Sequence, residues 1–339
     1  MEYTKDQKAL IMLSTIEGYN AKRKKYDSVD RPSELYDDYA IADRMIEEMH
    51  RNGVEVITIL DKDYPPKLKD IYDPPLTLYY KGEKDLLYKE NLLAVVGARR
   101  VTTYGKNVMQ NFIPVFIKSG LLIVSGLARG VDSIGHKMSV ESGAKTIAVV
   151  ANGLDICYPS ENAQLQDDII KNGIVISEYP LGTKPLQYHF PERNRIISGL
   201  SKAVFIPEAG DKSGSLITAD DAIDQGRDLF VVPGSIFSPQ SVGCNKKIKE
   251  LQATIVLTPE DVTEALGYDT KRDKKQSVQL DFDQQRIVDI MKDGKIHLYE
   301  LMEKSGMNIA VVSSLLTGLE IMGVIRKLQG NYYEIIPWI

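Results

Sequence analysis

The chain has 339 residues, 43% of them apolar, and a formal net charge of −5; that length predicts two or three domains, each able to bury a core. No apolar run reaches membrane-spanning length and the polar start MEYTKDQK is unlike a signal peptide, so a cytoplasmic protein without membrane association is expected. The acidic sum argues against a non-specific duplex binder, yet residues 91–262 carry 17 Lys/Arg and 17 Asp/Glu, which leaves room for a local basic patch.

In chain order, KDQKALIMLS and YAIADRMIEEMH show helical spacing, and residues 1–60 read as a small helical module. VEVITIL at 54–60 is strand-like, and YPPKLKDIYDPPLTLYY reads as a proline-punctuated, extended strap. From there to residue 266, LLAVVG, LLIVSG, TIAVVA, IVISEY, AVFIPEA and LFVVPG are six short apolar runs separated mostly by helix-length segments. Continuous apolar runs indicate strands buried on both faces, so the fold class is α/β, an extended Rossmann-like, mostly parallel sheet. Its functional edge should be the carboxyl end, where GARR, SGLARG, NGLD, SEYP and EAGDKSGS emerge. The polar stretch 267–280 reads as a linker. Residues 281–339 give three helices, the third capped by Asn308, and a hairpin turning at Gln329–Gly330–Asn331, the pattern of a winged-helix domain.

Neither VVGARR nor GLARGVD carries a dinucleotide fingerprint, and Lys212–Ser213–Gly214 lacks the glycines of a Walker loop. Arg99 and Arg129 follow the first and second strands of the parallel set, where they are either anion ligands or salt-bridged surface groups. Lys212 precedes a Ser213–Gly214–Ser215 turn leading into a helix, an arrangement suited to seating an anion, although either serine could simply cap that helix. In FPERNRIISGL, residues 190–200, Arg193 and Arg195 flank Asn194 just before a run resembling a buried helix, and offer fork-shaped donors to phosphate. Tyr188 and Phe190 beside them are candidate base-stacking rings; the competing reading is core packing. Glu178, Glu208, Asp132 and Asp155 lie near strand ends and could supply acid/base pairs, or hold neighbouring arginines and amides. The four histidines lack metal-ligand spacing and Cys157 and Cys244 are far apart, so no metal, cofactor or catalytic residue is expected. The predicted recognition helix, NIAVVSSLLTGLE, has no Lys or Arg; packing or protein contact suits the C-terminal domain better than duplex reading.

YPPKLKDIYDPPLTLYYKG, VVGARRVTTYG, SGLARGVDSIGHK, TIAVVANGLDICYPSEN, SEYPLGTKPLQYHFPERNRIISGLS and EAGDKSGSLITADDAIDQGRDLFVVPGSIFSPQSVGCN, in this order, closely resemble the DNA-processing protein A (DprA/Smf) family. The resemblance covers roughly residues 60–265. It implies a non-enzymatic, single-stranded DNA-binding protein that protects incoming strands in natural transformation, dimerises and helps load a RecA-type recombinase. Carried to this chain, the DNA-contacting pocket involves Arg99, with Arg129, Arg193, Arg195 and Lys212 as further candidates and the turn Ser213–Gly214–Ser215 as its floor. A short amino-terminal module with one glycine, STIEGYNAKRKKYDSVDR, and Cys244 depart from the family's pattern. The alternative retained from the residues is a nucleotide-processing hydrolase of phosphoribohydrolase type using Glu208; a third reading is an adaptor that works through its tail.

Overall fold

In a computed structural model, residues 3–16, 19–268, 280–322 and 324–335 are described. The chain divides into two compact units, Met1–Thr270 and Lys271–Ile339.

The first unit begins with helices α1 (Lys5–Leu13), α2 (Tyr19–Tyr26) and α3 (Ala40–Arg51), then β1 (Glu55–Thr58), the short α4 (Pro66–Lys69) and β2 (Thr77–Gly82). A regular alternation follows: β3 (Leu92–Val95), α5 (Thr103–Lys118), β4 (Leu122–Ser125), α6 (Val131–Glu141), β5 (Thr146–Val150), α7 (Ala163–Asn172), β6 (Ile174–Ser177) and α8 (His189–Leu200). It continues with β7 (Ala203–Ile206), α9 (Ser215–Asp224), β8 (Asp228–Val231), α10 (Val242–Lys249), β9 (Thr254–Ile255) and α11 (Pro259–Ala265). The sheet order is β1-β2-β6-β5-β4-β3-β7-β8-β9. Strands β3 to β9 pair in parallel, while β1 and β2 add an antiparallel edge.

The six apolar runs are β3–β8, and their continuity has the anticipated cause. Along β3, Leu92 and Ala94 enter one core while Leu93 and Val95 enter another on the opposite face. Helices on both sides exclude water from alternate residues, so no polar face is needed. The strap contributes more than an extended lead-in. Thr77–Gly82 pairs with both β1 and β6, and its tyrosines Tyr79 and Tyr80 are buried. Strand β1 thus belongs to the sheet, although its residues fall within the span read as a helical module. The helices before it are also attached: Ile11 of α1 packs with Tyr79 and Val175, and Leu10 and Leu13 pack with Leu76. The two-residue edge β9 has too little pattern to be anticipated.

The second unit comprises α12 (Phe282–Ile290), β10 (Ile296–His297), α13 (Leu298–Ser305), α14 (Ile309–Ile321), β11 (Ile325–Lys327) and β12 (Tyr332–Ile335). Its strands run in the order β10-β12-β11. Asn308 caps α14 by accepting the Val311 N–H at 3.1 Å. The hairpin turns through Gly330 and Asn331, both with positive φ, as its tight reversal requires. Val312, Leu316 and Leu319 of α14 fill the core and Val311 stays exposed. Of the expected linker 267–280, residues 269–279 lie outside the described residues.

Candidate nucleic-acid interface

Strand β3 lies between β4 and β7 in the sheet. The chain turns one way after β3 and the other way after β7, so their following loops diverge and leave a crevice at the carboxyl edge. A cleft of about 940 Å³ occupies this switch point. Its walls come from Gly97, Arg99 and Arg100 after β3, from Gly210–Ser215 after β7, and from Phe190, Arg193 and Asn194 on α8, with Tyr158 at the rim. The two loops meet by backbone: the Ala98 N–H donates to Glu208 O at 2.8 Å. A Cβ on Gly97 would stand 2.8 Å from that same oxygen, so a side chain there would prise the loops apart.

The cleft's cations are of two kinds. Arg99, Arg100 and Lys212 line it and are exposed, and none makes an ion pair or hydrogen bond among the described residues. Arg193 is only 3% exposed. Its guanidinium donates to Gly126 O at 2.8 Å and to Val149 O, and Nε donates to Asn194 Oδ1 at 3.2 Å. Asp132 opposes the burial that draws the Arg193 pKa down. The Asp132 carboxylate in turn accepts N–H bonds from Gly126 at 3.1 Å and Ala128 at 3.4 Å. A Cβ on Gly126 would lie 2.7 Å from both the Arg193 guanidinium and the Asp132 carboxylate; glycine is what lets these groups close over the strand end.

Beside both an exposed and a buried cation lies Phe190. The Arg99 guanidinium is 5.4 Å from its ring centroid and that of Arg193 is 5.8 Å away. The Tyr158 ring is 5.6 Å off. A half-buried ring with guanidinium groups beside it can receive an unpaired base on its exposed part while the exposed Arg99 meets the backbone.

On the opposite wall, α9 begins at Ser215 with Gly214 as its N-cap. The Ser213 N–H is used, donating to Gly210 O at 3.1 Å, and Leu216 and Ile217 donate back to Ser213 O and Gly214 O. The N–H groups of Gly214 and Ser215 have no hydrogen-bond partner among the described residues. Space beyond Gly214 is open, with nothing within 4 Å of a built Cβ. The two hydroxyls, Ser213 Oγ and Ser215 Oγ, bond each other at 2.8 Å. An oxyanion here meets two free amides at the positive end of a helix.

Not every expected residue arrives. The arginines of FPERNRIISGL sit inside α8 rather than before a helix. Positions two apart in a helix point in nearly opposite directions, so Arg193 and Arg195 cannot both face the cleft. Arg195 is buried on the other side in an ion pair with Glu178 at 2.9 Å and does not line the cleft. Arg129 is exposed but turned to Glu161, which accepts from its Nε at 2.9 Å and from an amino nitrogen at 2.7 Å. Tyr188 stands off the cleft, edge-on to His189 at 4.6 Å, and Tyr158 takes its place at the rim. Arg100 is a lining residue that sequence reading passed over; the doubled arginine in VVGARR is the available signal.

The carboxylates considered for acid/base work are all engaged. Glu208 accepts the Thr102 N–H at 2.9 Å and its hydroxyl at 2.5 Å, fastening the start of α5. Glu178 holds Arg195, and Asp155 accepts the Gly182 N–H at 2.9 and 3.0 Å. His136 is fully buried on α6, 2.8 Å from Thr146 Oγ1, and burial pushes its pKa down to about 3. Among the described residues no group of three His, Cys, Asp or Glu suits a metal ion, and no helix is long and apolar enough to cross a membrane.

The family model described as DNA recombination-mediator protein A matches residues 55–267, and that of the DprA winged helix domain matches residues 271–331. The chain is 43% identical over 234 residues to the DNA processing protein DprA of Bacillus subtilis, covering 69% of this chain and 78% of that protein. It is 36% identical over 284 residues to the protein Smf of Escherichia coli, covering 80% of this chain and 75% of that one. Among solved structures, DNA processing protein A of Streptococcus pneumoniae superposes with a TM-score of 0.64 at 38% identity, over 78% of this chain and 98% of that one. A Helicobacter pylori DNA processing protein A, whose structure is described for its single-stranded DNA binding mode, gives 0.58 at 31% identity, over 64% and 97%.

Proposed function

The chain belongs to the DprA/Smf family of DNA recombination-mediator proteins, and from that premise we propose that its cleft binds single-stranded DNA. The observation that carries this reading is the placement of Arg99 and Arg193 beside the Phe190 ring, across the cleft from the free amides of Gly214 and Ser215. Arg99, Arg100 and Lys212 neutralise phosphates, Phe190 and Tyr158 take a base by stacking, and Gly214 and Ser215 hold a phosphodiester oxygen. Arg193 serves as the buried anchor of the Phe190 wall. None of these contacts reads a base edge, so binding has little sequence preference and falls steeply with salt.

On the same premise the biological role is to protect incoming strands in the cytoplasm and to help load a RecA-type recombinase during natural transformation or recombination. A homodimer fits the sheet's edge, where β9 ends the order and Leu251, Ile255 and Leu257 are exposed; an uncovered edge strand is a ready surface for a second copy. The nucleotide-hydrolase alternative needs Glu208 as an acid/base, but that carboxylate is committed to Thr102.

Charge reversal tests the cleft. Arg99→Glu and Lys212→Glu should each weaken binding to an oligo-dT strand at low salt; unchanged affinity in both removes the site.

A further inference from the structure

Lys22 on α2 belongs to a run, YNAKRKKY, that would ordinarily be a solvated face, yet it is only 5% exposed. Its ammonium stands 5.0 Å from the centroid of the Tyr179 ring. That ring stacks on His189 at 4.0 Å, and its hydroxyl donates to Glu192 Oε2 at 2.8 Å. Beside it, Glu178 is paired with the buried Arg195. Burial draws the Lys22 pKa down, and the attraction of Glu178 and Glu192 resists that fall.

Two cations thus meet two carboxylates in a cluster largely shut away from water, in which losing one member leaves a buried charge less well compensated. The cluster's position matters. His189, Glu192 and Arg195 lie on the first two turns of α8, the same turns that present Phe190, Arg193 and Asn194 to the cleft. Lys22 itself does not line the cleft.

We propose that Lys22 is a positioning residue for strand binding: it clamps the start of α8 through Tyr179 and Glu192, and thereby fixes where Phe190 stands beside Arg99. This rests on the reading of the cleft as a single-strand site. It makes the amino-terminal helices part of the binding machinery without any contact to DNA.

The experiment compares Lys22→Met, which keeps the stem and removes the charge, with Lys22→Arg, which keeps the charge. Affinity for oligo-dT is measured across a salt series, and α8 is followed separately by the emission of a Phe190→Trp reporter, corrected for Trp338. Lys22→Met should weaken binding about tenfold, the scale of one lost base–aromatic stack, with an unaltered salt slope because no phosphate contact is lost. It should also shift the reporter's emission, and Lys22→Arg should restore both. Wild-type affinity for Lys22→Met overturns the proposal, as does a slope shallower by about 0.7, the signature of a direct phosphate contact. Should Lys22→Met not fold, Glu192→Gln, which keeps a partner for the Tyr179 hydroxyl but removes the charge, is expected to give the same loss and emission shift, and wild-type behaviour there overturns the idea. If the wild type does not bind oligo-dT, the cleft reading fails, whereas an unshifted reporter emission sinks the role of Lys22 by itself.

Discussion

The Arg99 guanidinium lies over the Phe190 ring, 5.4 Å from its centroid, so a phosphate-seeking cation from the end of β3 and a stacking surface from α8 form one wall. The two residues are 91 positions apart (190 − 99), and only the closing of β3 against β7 and of α8 across the sheet brings them together. Because the ring carries no charge and Arg99 makes no ion pair or hydrogen bond among the described residues, stacking and charge neutralisation can be separated by mutation.

Phe190→Ala should cost about 1–3 kcal/mol of single-strand affinity, the usual value of one base–aromatic stack. The slope of log K against log salt should not change, since phenylalanine neutralises no phosphate. Binding isotherms at several salt concentrations check both; a shallower slope would place a phosphate contact where a base is expected.

Lys212→Ala should act in the complementary way. Its removal should flatten the salt slope by about 0.7 for a single strand and weaken binding alike for oligo-dT and oligo-dA. A change confined to one sequence would show that Lys212 reads bases.

Arg195→Ala should lower stability first and, because Arg195 belongs to the cluster at the start of α8, weaken binding only through that loss of structure and not through a lost phosphate contact. Truncating one partner of a buried ion pair typically costs about 3–5 kcal/mol, and Glu178 would be left 4% exposed without its guanidinium. Denaturant melts should show that loss, with the salt slope of the folded fraction intact.

Asp221 provides a pH test. Burial raises its carboxyl pKa from 3.8 to about 6, against the pull of Arg195, and one of its oxygens has no hydrogen-bond partner among the described residues. The unfolded chain therefore loses this proton first as pH rises from about 4 to about 6, and stability falls across that window and stays reduced above it. Asp221→Asn should raise the melting temperature at pH 7.5 and bring no such gain below pH 4; an equal gain at both values would contradict the sign.

Much of the fold is legible in the sequence because buried parallel strands leave an unambiguous mark: β3–β8 are runs without polar alternation, each ending in a small-residue turn. The same turns point to the carboxyl edge, and Arg99, Lys212 and the Gly214–Ser215 amides meet there. What the sequence does not reveal are pairings set by distant segments. Arg129 looks like a free cation until Glu161, 32 residues on, folds against it. Arg193 and Arg195 look equivalent until the helix sends them to opposite sides. Tyr188 stands beside the arginines in sequence and Tyr158 follows the third apolar run, and only the path of the loops decides that Tyr158 borders the cleft. Lys22 is the extreme case, a lysine in a basic run that ends up enclosed among carboxylates.

The central claim is that an unpaired base lies against Phe190 and Tyr158 in the cleft beside Arg99. Photo-crosslinking of the full-length protein to an oligo-dT strand carrying 5-iodouracil, with the attached peptides sequenced, tests it directly. Attachment at Phe190 or Tyr158, lost when Arg99 is replaced by Glu, is the predicted result; attachment only to peptides outside the cleft would contradict it.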